Sequence, residues 1–226
     1  MNLTEAVHAA CALLTSGDAQ LVSAIVVSLQ VALLGTALAA LLGAPLGLWV
    51  AVRPFRGRGA VEILLNTATA LPTVVVGLLT YALLSRRGLL GDLGLLYTPA
   101  AMVIGETVLI APLMAALTLA VVSGADARIY ETALTLGASP QRAALTLAAE
   151  MRRGLLGAVA TGFGRLVSEL GVALMVGGNI ALSTRTMTTA IALETSKGEF
   201  ALGLALGFVL LAVALVVNLG AARLAR

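Results

Sequence analysis

Five runs of this chain, residues 21–52, 61–84, 99–122, 154–178 and 200–222, carry almost no charge, and each is long enough to cross the hydrocarbon core of a bilayer. A helix rises about 1.5 Å per residue, so about 20 apolar residues suffice for a crossing. Inside hydrocarbon every backbone N–H and C=O must be satisfied within the protein, which makes helices the natural solution for runs of this length. Composition agrees: 60% of residues are hydrophobic and 11% charged, with a mean hydropathy of +1.04. A soluble domain carries about 25% charged residues. The expected fold is therefore all-α, a polytopic membrane protein with five transmembrane helices. The first run exceeds the required length and contains Pro45 in "GAPLG" (residues 43–47), so it should tilt, project beyond the bilayer or bend there.

The basic residues orient the spans. Arg53, Arg56, Arg58, Arg128, Arg142, Arg152, Arg153, Arg223 and Arg226 fall on one side of the five-span arrangement, whereas Arg86, Arg87, Arg185 and Lys197 fall on the other. The richer side is the cytoplasmic one, which places the N-terminus outside and the C-terminus inside. The pI near 9.6 thus reflects membrane orientation. No basic stripe with interleaved aromatics points to nucleic acid. Residues 1–20 lack the positive start of a signal peptide and read as an external interfacial segment. Cys11 and His8 are the only residues of their kinds, so no disulfide framework or Cys/His metal site is expected. No catalytic residues are expected either.

Between the third and fourth runs lies "ETALTLGASPQRAALTLAAE", residues 131–150, which is moderately polar and on the cytoplasmic side of that topology. Asp126 is placed to cap a helix running through "ARIYETALTL". Gly137 stands where a left-handed residue ends it. Ser139 can cap a second helix, with Pro140 at its first position. Two short helices with a tight bend should form a compact knob. Local chemistry alone also fits an ordinary interspan loop.

The spacing E-T-A-x-x-x-G resembles the cytoplasmic EAA loop of binding-protein-dependent ABC importers, with Glu131, Ala133 and Gly137 matching and Thr132 replacing the middle alanine. Further stretches, "LPTVVVGLLTYALLS" (71–85), "LVSELGVALMVGGNI" (166–180) and "TRTMTTAIALETSKGEFALGLALG" (184–207), resemble the tungstate permease branch of the type I importers and, less fully, molybdate permeases. The resemblance covers residues 21–226. It implies the type I permease fold, with residues 123–153 as the loop holding the coupling helix, and Glu131, Ala133, Leu134, Gly137, Ala138 and Ser139 meeting the ATPase. It also implies two cytoplasmic ATPase subunits, an external binding protein and a second permease copy, in a bacterial or archaeal cytoplasmic membrane. The chain has no G-x-x-x-x-G-K-[ST] phosphate loop, so ATP and Mg should be used by the partner and no cofactor held here.

Ionisable groups inside spans are costly and read as functional candidates. Arg165 and Glu169 are four apart and should pair. They fit an internal ion pair, or a site where Arg165 eases passage of a divalent oxyanion. Glu106 stands alone, with nothing to choose its partner. Asn66, Thr69 and Thr73 have helical spacing around Pro72, and fit either a polar route or interhelical hydrogen bonding. Gly43/Gly47 and Gly203/Gly207 form G-x-x-x-G pairs suited to close helix packing. In the external loop, 179–199, a short helix over 188–196 should end near Gly198. The family resemblance implies binding-protein docking on this surface, with Thr188, Ala190 and Glu194 as candidates, although "AIAL" is apolar enough for a packed helix. Two other classes compete. A self-sufficient secondary transporter or channel should show an inverted repeat, which is not evident. A redox-complex subunit should show haem ligands, and histidine is nearly lacking.

Overall fold

The Asp18 carboxylate begins the first long helix by accepting the Leu21 N–H at 2.8 Å. The computed structural model describes residues 17–224 together with His8 and Ala12, so most of the expected interfacial segment 1–20 lies outside the described residues. Helix α1, Ala19–Val52, continues through Pro45. Two further helices are long and apolar enough to cross a membrane: α4, Pro99–Ser123, and α10, Phe200–Leu224. The other two apolar runs are bent, and the total reaches five crossings if each bent pair counts as one.

The second run is not one continuous helix. It is built as α2, Arg58–Ala68, and α3, Thr73–Leu84, which meet at 94°. Pro72 supplies no backbone N–H and pushes the preceding residue out of helical conformation. With 12 residues, α3 is only about 18 Å long, short of a full crossing. The fourth run likewise breaks, into α7, Arg152–Val167, and α8, Gly171–Gly177, at 57°.

α1 and α4 form the spine of the bundle. They run parallel: Gly35 faces Glu106, Gly43 faces Ala111 and Ala115, and Gly47 faces Ala115 and Leu119. A Cβ on Gly43 or Gly47 would run into the Ala111 or Ala115 carbonyl oxygen, so this G-x-x-x-G pair is what lets two backbones touch. In the second pair only Gly203 faces another helix, at Thr195, while Gly207 faces open space. Around the spine, Val31, Met102, Ile110, Met114, Val172 and Val176 are buried together.

Two short helices, α5 (Ala127–Thr135) and α6 (Pro140–Glu150), sit at the end where α1 and α4 finish. Val52, Arg58, Val122, Tyr130, Glu131 and Leu147 share a cavity of about 300 Å³ there. Helix α9, Met187–Ser196, lies at the opposite end, where the Met187 N–H donates to Ser28 Oγ at 2.9 Å.

Candidate functional site

The α5–α6 projection owes its shape to contacts within a turn or two. Asp126 Oδ1 accepts the Arg128 N–H at 2.9 Å, and its carboxylate also binds the Arg128 guanidinium at 2.7–3.1 Å. The Arg128 side chain, then its backbone, holds the Asp126 carboxyl below its ordinary range. Gly137 adopts φ 86°, its N–H donates to the Leu134 carbonyl at 2.9 Å, and the Ala138 N–H reaches back to Ala133 at 3.0 Å. Those two bonds make a Schellman C-terminus. Ser139 caps α6 through Arg142 N at 3.4 Å, with Pro140 in the first turn.

One face of α6, with Ala143 and Leu147, is buried against the bundle. Leu136 and Leu145 are 82% and 65% exposed, and Leu134 and Ser139 are also exposed. Ala133 and Ala138 are half-buried and, with Thr132 and Leu136, line a groove of about 590 Å³ between the two helices. Glu131, though exposed, borders the inner cavity beside Arg58 and Tyr130. A rigid knob with bare leucines is suited to seat in a soluble partner, since such apolar groups gain by being covered.

The α7–α8 break collects the polar groups of the bundle interior. Arg165 Nη1 donates to Glu169 Oε2 at 2.7 Å, so the expected pair exists. It does not lie on one helix, however: Glu169 is past the end of α7 and its Oε1 accepts the Gly171 N–H at 2.7 Å, capping α8. The Glu169 carbonyl oxygen also accepts from Thr188 Oγ1 of α9 at 2.7 Å. One residue thus ties three helices. Arg165 is 43% exposed while Glu169 is 2% exposed.

Glu106 is buried on α4, and its Oε2 has no hydrogen-bond partner. Gly35 makes room for it, since a Cβ there would meet Leu166 and the Glu106 side chain. Sequence reasoning left the placement of Glu106 open and missed the Thr188 link; the isolated carboxylate in an apolar run was the only available signal.

Two expected placements are corrected. Asn66 and Thr69 end α2, whereas Thr73 begins α3 after the right-angle bend, so the three do not share a helical face. Thr69 Oγ1 instead donates to the Asn66 carbonyl at 2.7 Å. Thr73 packs against Gly171, beside the α7–α8 break. On α9, Ala190 is 7% exposed and buried with Leu21, Ala24, Ala205 and Leu206, so it offers no docking surface in the described chain. Thr188 is half-buried, and Glu194, also half-buried, pairs with Lys197 at 2.8 Å.

Long apolar helices and two bent apolar pairs, with a helical knob at one end, define a multi-pass membrane protein. The family is more specific. Residues 43–226 match the binding-protein-dependent transport system inner membrane component, and the chain belongs to that family. A probable anion ABC transporter permease protein of Haloferax volcanii is 41% identical over 90% of each chain. The tungstate uptake system permease protein TupB of Peptoclostridium acidaminophilum is 37% identical over 96% of this chain and 95% of its own. That of Campylobacter jejuni is 42% identical over 73% and 69%. The methionine ABC transporter MetNI, in an inward-facing conformation, superposes with a TM-score of 0.75 at 19% identity, covering 92% of this chain and 95% of its own. The chain is therefore an ABC importer permease with the type I fold, and it is not itself an enzyme.

Proposed function

We propose that this permease imports tungstate. The observation that carries the reading is 37–42% identity to tungstate uptake permeases, against 28–30% to molybdenum transport permeases. In this reading two copies of the chain enclose one path through the cytoplasmic membrane, with the N-terminus outside. Two cytoplasmic ATPase subunits bind the α5–α6 projection and use ATP and Mg, and a binding protein delivers the anion from outside.

Glu131, Ala133, Leu134, Gly137, Ala138 and Ser139 form the coupling segment. A capped bend moves as one piece, so a pull on it is transmitted to α4 and α7, the helices it connects. Gly157, Thr161 and Arg165 on α7, with Ser168 just past its end, are exposed at three- and four-residue spacing, a face poorly suited to lipid. That face, with Thr73 and Glu169 at the break, supports a polar path in which the half-exposed Arg165 meets a divalent oxyanion. Asn66 and Thr69 mark the bend of α2 into α3, at the edge of that path. Thr188 and Glu194 remain candidates for the binding-protein surface.

The test is ATP-driven uptake in proteoliposomes that hold the permease, its ATPase and its binding protein. Uptake of tungstate that excess molybdate competes poorly supports the reading. Equal or better transport of molybdate assigns the alternative oxyanion, and transport by the permease without any ATPase refutes the coupling scheme.

A further inference from the structure

At the end of the bundle opposite α5 and α6, the connection from α3 to α4 borders an open cavity of about 610 Å³. Tyr81, Arg86, Arg87 and Tyr97 line it, and no acidic residue does. Neither guanidinium has a hydrogen bond or ion pair among the described residues. Arg185, on the α8–α9 connection, differs: it is tied to Asn179 at 3.1 Å and reaches Gln20 at 3.4 Å. Two unpaired guanidinium groups on one cavity leave its positive charge without a counter-charge, and an anion bound there offsets it.

The aromatic wall is held in a specific posture. Tyr97 has φ 65°, a conformation that L residues rarely adopt, and its N–H donates to the Val176 carbonyl at 2.9 Å. Its ring lies over Gly178, where a Cβ would come within 2.7 Å of Cδ1. The Tyr81 and Tyr97 rings stand 6.4 Å apart and tilted. The side-chain hydrogen bond with Tyr81, ahead of burial, raises the Tyr97 phenol above its ordinary range. The cavity therefore presents forked cationic donors and phenol donors with no competing carboxylate, the chemistry that suits a tetrahedral oxyanion.

The geometry points to an oxyanion site in which Arg86 and Arg87, flanked by Tyr81 and Tyr97, hold one tetrahedral anion, either a free dianion or the phosphate of a lipid headgroup. The free-dianion source rests on the proposed import of tungstate; the lipid source does not. Because Tyr97 is anchored to the end of α8, the site abuts the segment that follows the Glu169 break.

The permease–ATPase complex in phosphatidylcholine nanodiscs, titrated with sodium tungstate and with sodium phosphate, tests the first source. Retention of phosphatidylglycerol by the delipidated complex, read by native mass spectrometry, tests the second. Saturable binding or retention should weaken at least about tenfold in an Arg86→Gln/Arg87→Gln variant. It should survive in part in Arg86→Lys/Arg87→Lys, and stay unchanged in Arg152→Gln at the opposite end. No binding of either anion together with no lipid retention overturns the site, as does binding that the glutamine variant leaves intact. A complex that holds phosphatidylglycerol through these arginines yet takes up no tungstate refutes the substrate reading and leaves the site standing. Uptake of tungstate with no binding in either arm refutes the site alone.

Discussion

Replacing Gly137 by alanine isolates the bend between α5 and α6. Gly137 sits at φ 86°, and a Cβ added there meets nothing within 4 Å, so the penalty is confined to the backbone itself. An L residue with a Cβ in the left-handed region costs about 1–2 kcal/mol, while asparagine tolerates it better. If the ATPase recognises only the bent form, that cost appears as about 5–30-fold weaker association, since about 1.4 kcal/mol is tenfold. Binding of purified ATPase to the permease in detergent, measured by fluorescence anisotropy, gives the two constants directly. Gly137→Ala should bind in that weakened range, and Gly137→Asn should fall near the parent protein although its side chain is larger. An asparagine variant that binds more weakly than the alanine one would show that side-chain bulk, and not backbone conformation, governs docking. An unaltered affinity for Gly137→Ala would refute the idea that the bend is held for the partner.

Gly47→Val drives a side chain into the Ala115 carbonyl and Thr118, and should lower stability by about 1–3 kcal/mol in thermal denaturation, while Gly59→Ala, in open space, serves as an unaffected control. Glu169→Ala removes the α8 cap and the Arg165 partner together, and should cost about 1–3 kcal/mol; Glu169→Gln, which keeps an acceptor for Gly171, should cost less, and an Arg165→Ala double-mutant cycle reads the pair's share. The Asp126 carboxyl is lowered in the folded chain, chiefly by the Arg128 side chain, so its contribution is present above the ordinary carboxylate range and lost as pH falls through its folded value. Protection factors of the α5 amides, corrected for intrinsic exchange, should therefore be insensitive to this group near neutral pH and fall only in acid, a response that Asp126→Asn should abolish. Thr188→Val cuts the hydrogen bond to the Glu169 carbonyl and should slow ATP-driven uptake without reducing ATPase association, because the contact lies at the end of the bundle away from α5 and α6.

The α5–α6 knob was readable in advance because its instructions are local: Asp126, Gly137, Ser139 and Pro140 each act within about one helical turn. The apolar runs were equally legible, since a bilayer demands length and lack of charge wherever the segment packs. The breaks were less so. Pro72 signalled a lost hydrogen bond, but a 94° turn depends on where α3 can pack, against Gly171 and Met175 of α8. The Arg165–Glu169 spacing correctly foretold a pair, yet the carboxylate made it from beyond the helix end because it also caps α8. Ala190 looked available on a short external helix and is buried, because α1 and α10 converge on α9 from opposite ends of the sequence.

What the sequence alone determined was a helical membrane chain of high hydropathy with a capped projection, since segment length, charge and end-capping are properties of neighbouring residues. Only the tertiary structure decided which glycines let α1 and α4 touch, which carboxylate was left without a partner, and which arginines remained unpaired around a cavity. Those outcomes depend on groups brought together from distant parts of the chain, and no spacing within a single segment encodes them.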